Sequence, residues 1–435
     1  MVALFFMKIT ILTYGSRGDV QPFIALARGF QKNGHEVKLA APHRFADFVS
    51  GYGVPFVPLA GDPEEISRRI NDAGTNVLRI ISTMREYVFA IAPQVSRSAF
   101  AACEGAELII HSFLFTVGGH SWAREHGVPD VSVQTFPVFA PTREFPGAAS
   151  AQLPSGALSY FSHWLTTQVF WYGGNAGYGP ARRANPDTSF PKKLYWPFDE
   201  SSPPQLRTPL LFAYSPSILP RPGNWDEHVH VTGYFFLDEE NYQAPDELRD
   251  FLSSGESPIC ISFSSMINRD AERVTHEVMS AINKTNNRAI FLTGWNGYKP
   301  EHIPENMLFL DAASHQWLFA RCKIVVHHGG AGTTGAGLRA GVPNIVVPHT
   351  ADQPFWGRRV NLIGAGPKPI PVHRLNAERL ASAIAEAESN SIRKRAQAIG
   401  QIIRSEDGVK EAVKLIEAYS LCFEIEADSV IQKRK

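Results

Sequence analysis

The chain has 435 residues, 44% of them hydrophobic, enough for two or three compact domains with their own cores. Basic and acidic residues balance at 42 each, so net charge gives no reason to expect nucleic acid as a partner. Four scattered cysteines, Cys103, Cys260, Cys322 and Cys422, form no C-x-x-C pair; this argues against a disulfide framework or structural zinc and for reduced thiols in the cytoplasm.

Met1 to Lys8 lacks the basic start and small-residue cleavage site of a signal peptide and leads into a predicted strand, Ile9 to Tyr14. Gly15 to Gly18 reads as a turn, and Phe23 to Phe30 as a helix stopped by Asn33-Gly34. Val37–Ala41, Val54–Val57, Leu108–His111 and Val131–Gln134 read as further strands. From Pro137 to Pro209 the rhythm breaks into long loops with one or two inserted helices, rich in proline, glycine and aromatics; such segments are often binding loops. Leu210–Tyr214 and a proline-rich linker, Ser215 to Asn224, follow.

A second alternating series runs through Ile259–Phe263, Ala289–Thr293, Met307–Leu310, Ile324–His327 and Asn344–Pro348, and amphipathic helices close the chain from Ala377 to Tyr419. Strand–helix alternation of this kind predicts parallel sheets covered by helices. Two such units imply a cleft, with ligands beyond the carboxyl ends of the strands. The expected domains are residues 1–224 and 225–405, with 406–435 a helix and tail packing back toward the first domain. No apolar run reaches the ~20 residues of a membrane span. The aromatic stretch Phe161 to Tyr172 leaves peripheral membrane contact open.

The richest segment is Lys323 to Thr334, Lys-Ile-Val-Val-His-His-Gly-Gly-Ala-Gly-Thr-Thr. A buried strand feeds a glycine-rich turn and then a helix expected to begin near Thr333. Amides at a helix N-terminus attract phosphate; Gly330 and Gly332 allow close backbone approach, and Thr333 and His328 add donors. Gly330 to Gly335 also fits the dinucleotide fingerprint of dehydrogenases, and His328-Gly-Gly resembles an esterase oxyanion loop, although the nucleophile motif is missing. Further on, Asp352 and Gln353 offer a carboxylate and an amide side by side, suited to neighbouring sugar hydroxyls. Helix capping alone would also account for Asp352.

Between the first strand and helix stands Gly15-Ser-Arg-Gly-Asp-Val-Gln-Pro22. Asp19 can take the proton from an attacking alcohol, or it can simply cap the helix. Together these segments resemble the inverting glycosyltransferases of family 1, in the branch of sterol glucosyltransferases and bacterial antibiotic and rhamnolipid glycosyltransferases. Gly15 to Pro22 resembles that branch's G-[ST]-R-G-D-V-Q-P; Trp225 to Tyr234 resembles its linker. His315-Gln-Trp-Leu-Phe319 and His327 through Gln353 resemble its donor signature.

The resemblance implies an α/β GT-B fold, with two Rossmann-like domains whose parallel sheets face across a cleft. It implies Asp19 as general base, with Ser16, Arg17 and Gly18 beside the acceptor. His328, Gly330, Gly332 and Thr333 would hold the diphosphate, with Ser265 approaching it. Asp352 and Gln353 would hold the sugar, and a loop of His315, Gln316 and Trp317 would flank the base. Ser264 stands where the family usually has glycine.

The expected reaction is hexose transfer from UDP-glucose to a small hydrophobic hydroxylated acceptor such as a sterol or terpenoid, with no cofactor. No D-x-D triplet occurs, so no metal is expected. The rivals are a rhamnolipid- or antibiotic-type enzyme using a dTDP-sugar, a non-catalytic nucleotide-sugar-binding protein, a dehydrogenase and an epimerase.

Overall fold

The structure, a computed structural model, describes residues 6–65, 69, 77–186, 190–196, 206–239, 242–263, 271–294 and 298–432. Seven parallel strands make the first sheet: β1 (Lys8–Leu12), β2 (Glu36–Pro42), β3 (Phe56–Leu59), β4 (Leu108–His111), β5 (Asp130–Gln134), β6 (Leu210–Phe212) and β7 (Val229–Val231). They lie in the order β3-β2-β1-β4-β5-β6-β7. A five-stranded parallel sheet follows: β8 (Ile259–Ser262), β9 (Ala289–Leu292), β10 (Met307–Leu310), β11 (Ile324–His327) and β12 (Asn344–Val346), ordered β10-β9-β8-β11-β12. The central strands are short, continuous runs buried throughout, as parallel strands covered on both faces must be.

Both sheets are doubly wound, and the strand order reverses between β1 and β4 and between β8 and β11. Crevices at such switch points, outside the carboxyl ends, are where open α/β sheets bind ligands. β1 is followed by α1 (Arg17–Lys32), and β11 by a helix from Ala331 to Ala340. Helix α1 begins earlier than apolar periodicity alone predicts, because Ser16 and Asp19 form its N-terminal box. Phe23 and Phe30 on α1 are fully buried, each stabilising the fold by about 2 kcal/mol.

The proline-rich segment does not end the first domain. β7 lies beyond it and pairs in parallel with β6, Leu210 opposite Val229 and Phe212 opposite Val231. The boundary expected at 224 therefore moves past Val231, where the paired backbone ends. The sequence between Pro137 and Pro209 is also more ordered than its composition implies: one helix, Ala157–Ala184, runs for 28 residues.

An apolar cluster joins the domains, with Phe212, Tyr214 and Trp225 packing with Val346, Phe355 and Trp356. Polar ties reinforce it, from Arg358 Nη1 to the Ala151 carbonyl (2.6 Å) and from Arg359 Nε to the Ile218 carbonyl (3.0 Å). The last helix, Gly408–Gln432, returns to the first domain, where Ala412, Val413 and Ile416 enter its core. Asn33 Nδ2 donates to Glu417 Oε1 (2.8 Å), and His35 Nε2 lies 2.9 Å from the same oxygen. The two connections between domains touch where they cross: a Cβ built on Gly408 would lie 2.5 Å from the Gly233 carbonyl oxygen. Among the described residues, no helix is long and apolar enough to cross a membrane.

Candidate active site

At the end of β1 the chain turns through Gly15, whose φ of +142° strains any other residue. A Cβ there would lie 2.3 Å from Asp19 Oδ2, so glycine also makes room for the carboxylate. Ser16, not Asp19, is the N-cap of α1. The Ser16 amide donates to Asp19 Oδ2 at 2.7 Å and its hydroxyl donates to the same oxygen at 2.9 Å. Both bonds fall on Oδ2, and Oδ1 has no partner among the described residues. Burial raises the Asp19 pKa, and the Ser16 bonds oppose the shift. Gly18 is exposed. Arg17 donates to Gln21 Oε1 at 3.0 Å and pairs with Glu239 at 3.0 Å.

At the end of β11, His327 and His328 point to opposite faces, as alternation in a strand requires. His327 fixes the turn: its Nε2 lies 2.9 Å from Asn344 Oδ1, and its Nδ1 accepts from the Gly329 amide at 3.1 Å. Gly329 has φ +93°, and a Cβ there would lie 2.6 Å from Val346 Cγ1. His328 takes the other face, with its Nε2 2.5 Å from where a Gly330 Cβ would be. Burial first, then repulsion from His327 and His349, pushes its pKa down to about 3, with the Ser262 backbone pulling the other way. Its buried Nδ1 finds no well-formed hydrogen bond.

The helix here begins at Ala331, two residues before the expected start, with Gly330 as N-cap and no acidic residue in its first turn. The Thr334 amide is the first to bond back, to the Gly330 carbonyl at 2.9 Å. This leaves the Ala331, Gly332 and Thr333 amides as the open donors of the helix end. A Cβ on Gly332 would meet nothing within 4 Å. Thr333 is buried, as is Thr334, whose Oγ1 has no partner.

The expected base-flanking loop is a short helix, His315–Phe319, capped by Ser314. Ser262 Oγ, at the end of β8, lies 3.0 Å from His315 Nε2, and the His315 ring stacks on Phe319. Burial, then the charges of Arg17 and His328, brings its pKa down to about 3. Gln316 reaches the start of the second domain, accepting from the Glu239 amide at 3.4 Å. Trp317 packs with Tyr242 and under the Arg321 guanidinium, 3.9 Å from its ring centre.

Asp352 precedes the helix Gln353–Leu362. Trp356 Nε1 donates to Asp352 Oδ2 at 2.8 Å. Burial raises the Asp352 pKa to about 6, the Trp356 bond opposes this, and the negative charge of Asp19 adds to it. The two carboxylates therefore feel one another across the cleft, and α1 touches the helix Ala331–Ala340 directly. Gln353 turns inward, its Oε1 accepting from the His349 amide at 2.8 Å and the Thr350 amide at 3.1 Å. Ser265 and Ser264 lie outside the described residues.

Asp19, Arg17, His315, His328 and Asp352 thus converge electrostatically, while Trp317 packs on Tyr242 and the Gln353 Oε1 shapes the turn at residues 349–350. Sequence reasoning misses Ser262, Asn344 and Trp356 as supports. Only Trp356 had a readable signal, its i+4 spacing from Asp352 on a helix. The aromatic side chains near the cleft fall into two clusters. Phe113, Phe136, Phe139, Phe170 and Trp196 cluster beyond the carboxyl ends of β4 and β5. Phe145 packs with Trp225 and Phe355 instead.

Two doubly wound sheets facing a shared cleft, with an open helix end on one side and a carboxylate on the other, define the GT-B class of glycosyltransferase. Residues 9–119 match the glycosyltransferase family 28 N-terminal domain, and residues 273–418 match the erythromycin biosynthesis protein CIII-like C-terminal domain. The chain is 35% identical to O-mycaminosyltylonolide 6-deoxyallosyltransferase of Streptomyces fradiae, over 95% of this chain and 98% of that one. It is 33% identical to a sterol 3-beta-glucosyltransferase of Arabidopsis thaliana, over 94% of this chain. The chain spans 65% of the length of that plant relative, and 28% of a Yarrowia lipolytica sterol 3-beta-glucosyltransferase.

Among solved structures, the glycosyltransferase of kitacinnamycin superposes with a TM-score of 0.67 at 18% identity, covering 95% of this chain and 99% of that one. A Streptomyces sp. SF2575 glycosyltransferase complexed with thymidine diphosphate superposes with a TM-score of 0.60 at 17% identity, covering 95% and 99%. By its match to the Streptomyces fradiae enzyme along nearly the whole of both chains, the chain belongs to this family of glycosyltransferases.

Proposed function

We propose that the chain transfers a hexose, glucose from UDP-glucose, to the hydroxyl of a lipophilic acceptor such as a sterol, with inversion and without a metal ion. The observation that carries this reading is the open N-terminus at Ala331–Thr333 beside the buried, neutral imidazole of His328, opposed across the cleft by Asp19. Three open amides and a neutral imidazole suit a diphosphate, whose charge grows as the sugar departs. Asp19 Oδ1 takes the acceptor proton while Ser16 holds Oδ2, and the freed oxygen attacks the anomeric carbon from the face opposite the diphosphate. The carbon–oxygen bond to the nucleotide breaks as the new one forms. Asp352, anchored by Trp356, is the group placed to accept from sugar hydroxyls.

The sterol reading draws on the plant and fungal relatives and on the aromatic cluster around Phe113. A second reading, a 6-deoxyhexose from a dTDP-sugar, draws on the end-to-end match to the Streptomyces fradiae enzyme. Four free thiols suit a reducing, cytoplasmic setting.

Incubation with UDP-glucose or dTDP-sugars and a panel of sterols, terpenoids and macrolides, read by mass spectrometry, tests the proposal. A β-linked glucoside of a sterol is the expected product. Release of free sugar alone, or no product with any pair, overturns it.

A further inference from the structure

The helix Ala157–Ala184 separates two chemistries. Toward the cleft, Phe170 packs on Phe113 with ring centres 4.2 Å apart, and Trp171 on Trp196 at 5.0 Å. Its other face is apolar and exposed. Leu158, Phe161, Leu165, Val169 and Tyr172 recur at intervals of three and four residues, one continuous stripe along a helix. Their exposures run from 47% to 67%, and Trp164 beside them is 47% exposed.

No charged residue occurs from Ala157 to Ala181. His163 is buried with its Nε2 3.0 Å from the Phe145 carbonyl oxygen, and burial lowers its pKa against that bond. Charge returns abruptly as Arg182 and Arg183, both exposed. Arg182 donates to the Lys192 carbonyl, which brings exposed Lys192 and Lys193 to the same end. Glu125 approaches Lys192 at 3.9 Å, leaving that end net positive.

An exposed apolar stripe of this length is uncommon on a protein that meets only water. Helices that lie in a membrane interface combine a tryptophan-, phenylalanine- and leucine-bearing face with flanking cations for anionic headgroups. We propose that this helix docks the first domain on a lipid bilayer, lying in the plane of the surface with Arg182, Arg183, Lys192 and Lys193 at the headgroups. Over about 42 Å of helix, the outer face would enter the interface while the inner face borders the aromatic cluster, a short route for a lipophilic acceptor. The route rests on the acceptor reading above; the docking itself does not.

Flotation of the full chain with vesicles of phosphatidylcholine, alone or mixed with phosphatidylglycerol, tests it without donor or acceptor. The wild type is expected to bind both, and the anionic vesicles more tightly. Phe161→Ser, Trp164→Ser and Tyr172→Ser together are expected to weaken partitioning by about tenfold or more, with the thermal midpoint and UDP affinity unchanged. Arg182→Glu with Arg183→Glu should remove only the preference for anionic vesicles. A wild type that binds neither vesicle, or a triple variant that binds as well, overturns docking. So does a dimer in sedimentation velocity that the triple variant abolishes, which would make the stripe a self-interface. A chain that binds vesicles yet glycosylates no lipophilic alcohol keeps the docking and loses the acceptor reading.

Discussion

The two strand–turn–helix junctions on either side of the cleft share a geometry and differ in one respect. After β1, the helix end is occupied by its own carboxylate, Asp19, held by the Ser16 amide and hydroxyl. After β11, the first turn of the helix carries no acidic residue and no side-chain cap. One helix dipole is answered from within the chain, and the other is left for an anion from outside. The same local fold thus yields a held carboxylate on one wall and an open helix end on the other.

The largest effect should come from Asp19→Asn, which keeps the cap geometry and removes the base. We expect a loss of kcat of about a thousandfold with UDP affinity unchanged, measured by initial rates and calorimetry. Near-normal turnover would reduce Asp19 to a cap. Next, Gly332→Asp gives the second helix end the occupant that the first already has. The site has room for a Cβ, so the variant should fold, while UDP binding weakens about a hundredfold through like-charge repulsion; Gly332→Ala should bind nearly as the wild type does. Equal weakening in both variants would mean that sterics, and not charge, set the affinity.

Gly15→Ala forces a Cβ toward Asp19 Oδ2 and a strained φ. It should lower kcat by about tenfold and the thermal midpoint by a few degrees, a backbone strain of roughly 1–3 kcal/mol. The smallest effect is on pH. Asp352 is pushed up to about 6, so the folded chain keeps a proton that an unfolded aspartate releases near pH ~4. Stability should therefore be greatest below that window and decline as pH rises through about 6. Transfer should rise over the same range as the carboxylate forms. Asp352→Asn should flatten this part of the stability profile, read from thermal midpoints across pH.

Much of the architecture was legible because buried parallel strands announce themselves: Leu108–His111, Met307–Leu310 and Ile324–His327 are continuous apolar runs. Three-residue β7 was not, since His230 interrupts it and its pairing with β6 is tertiary. The junction residues Asp19, His328 and Asp352 could be found because glycines and strand ends mark them. Their supports could not, because Ser262 and Asn344 meet His315 and His327 only through the adjacency of β8, β11 and β12. The 28-residue helix was obscured by its own glycines, Pro180 and aromatics, residues with modest helix propensity.

The contact of Gly233 with Gly408 bears on how the two halves are joined. The outgoing and returning chains cross at one point, with no side chain between them. Glycine at both positions lets the two backbones meet, and a side chain at residue 408 would press on the Gly233 carbonyl and force the outgoing and returning chains apart.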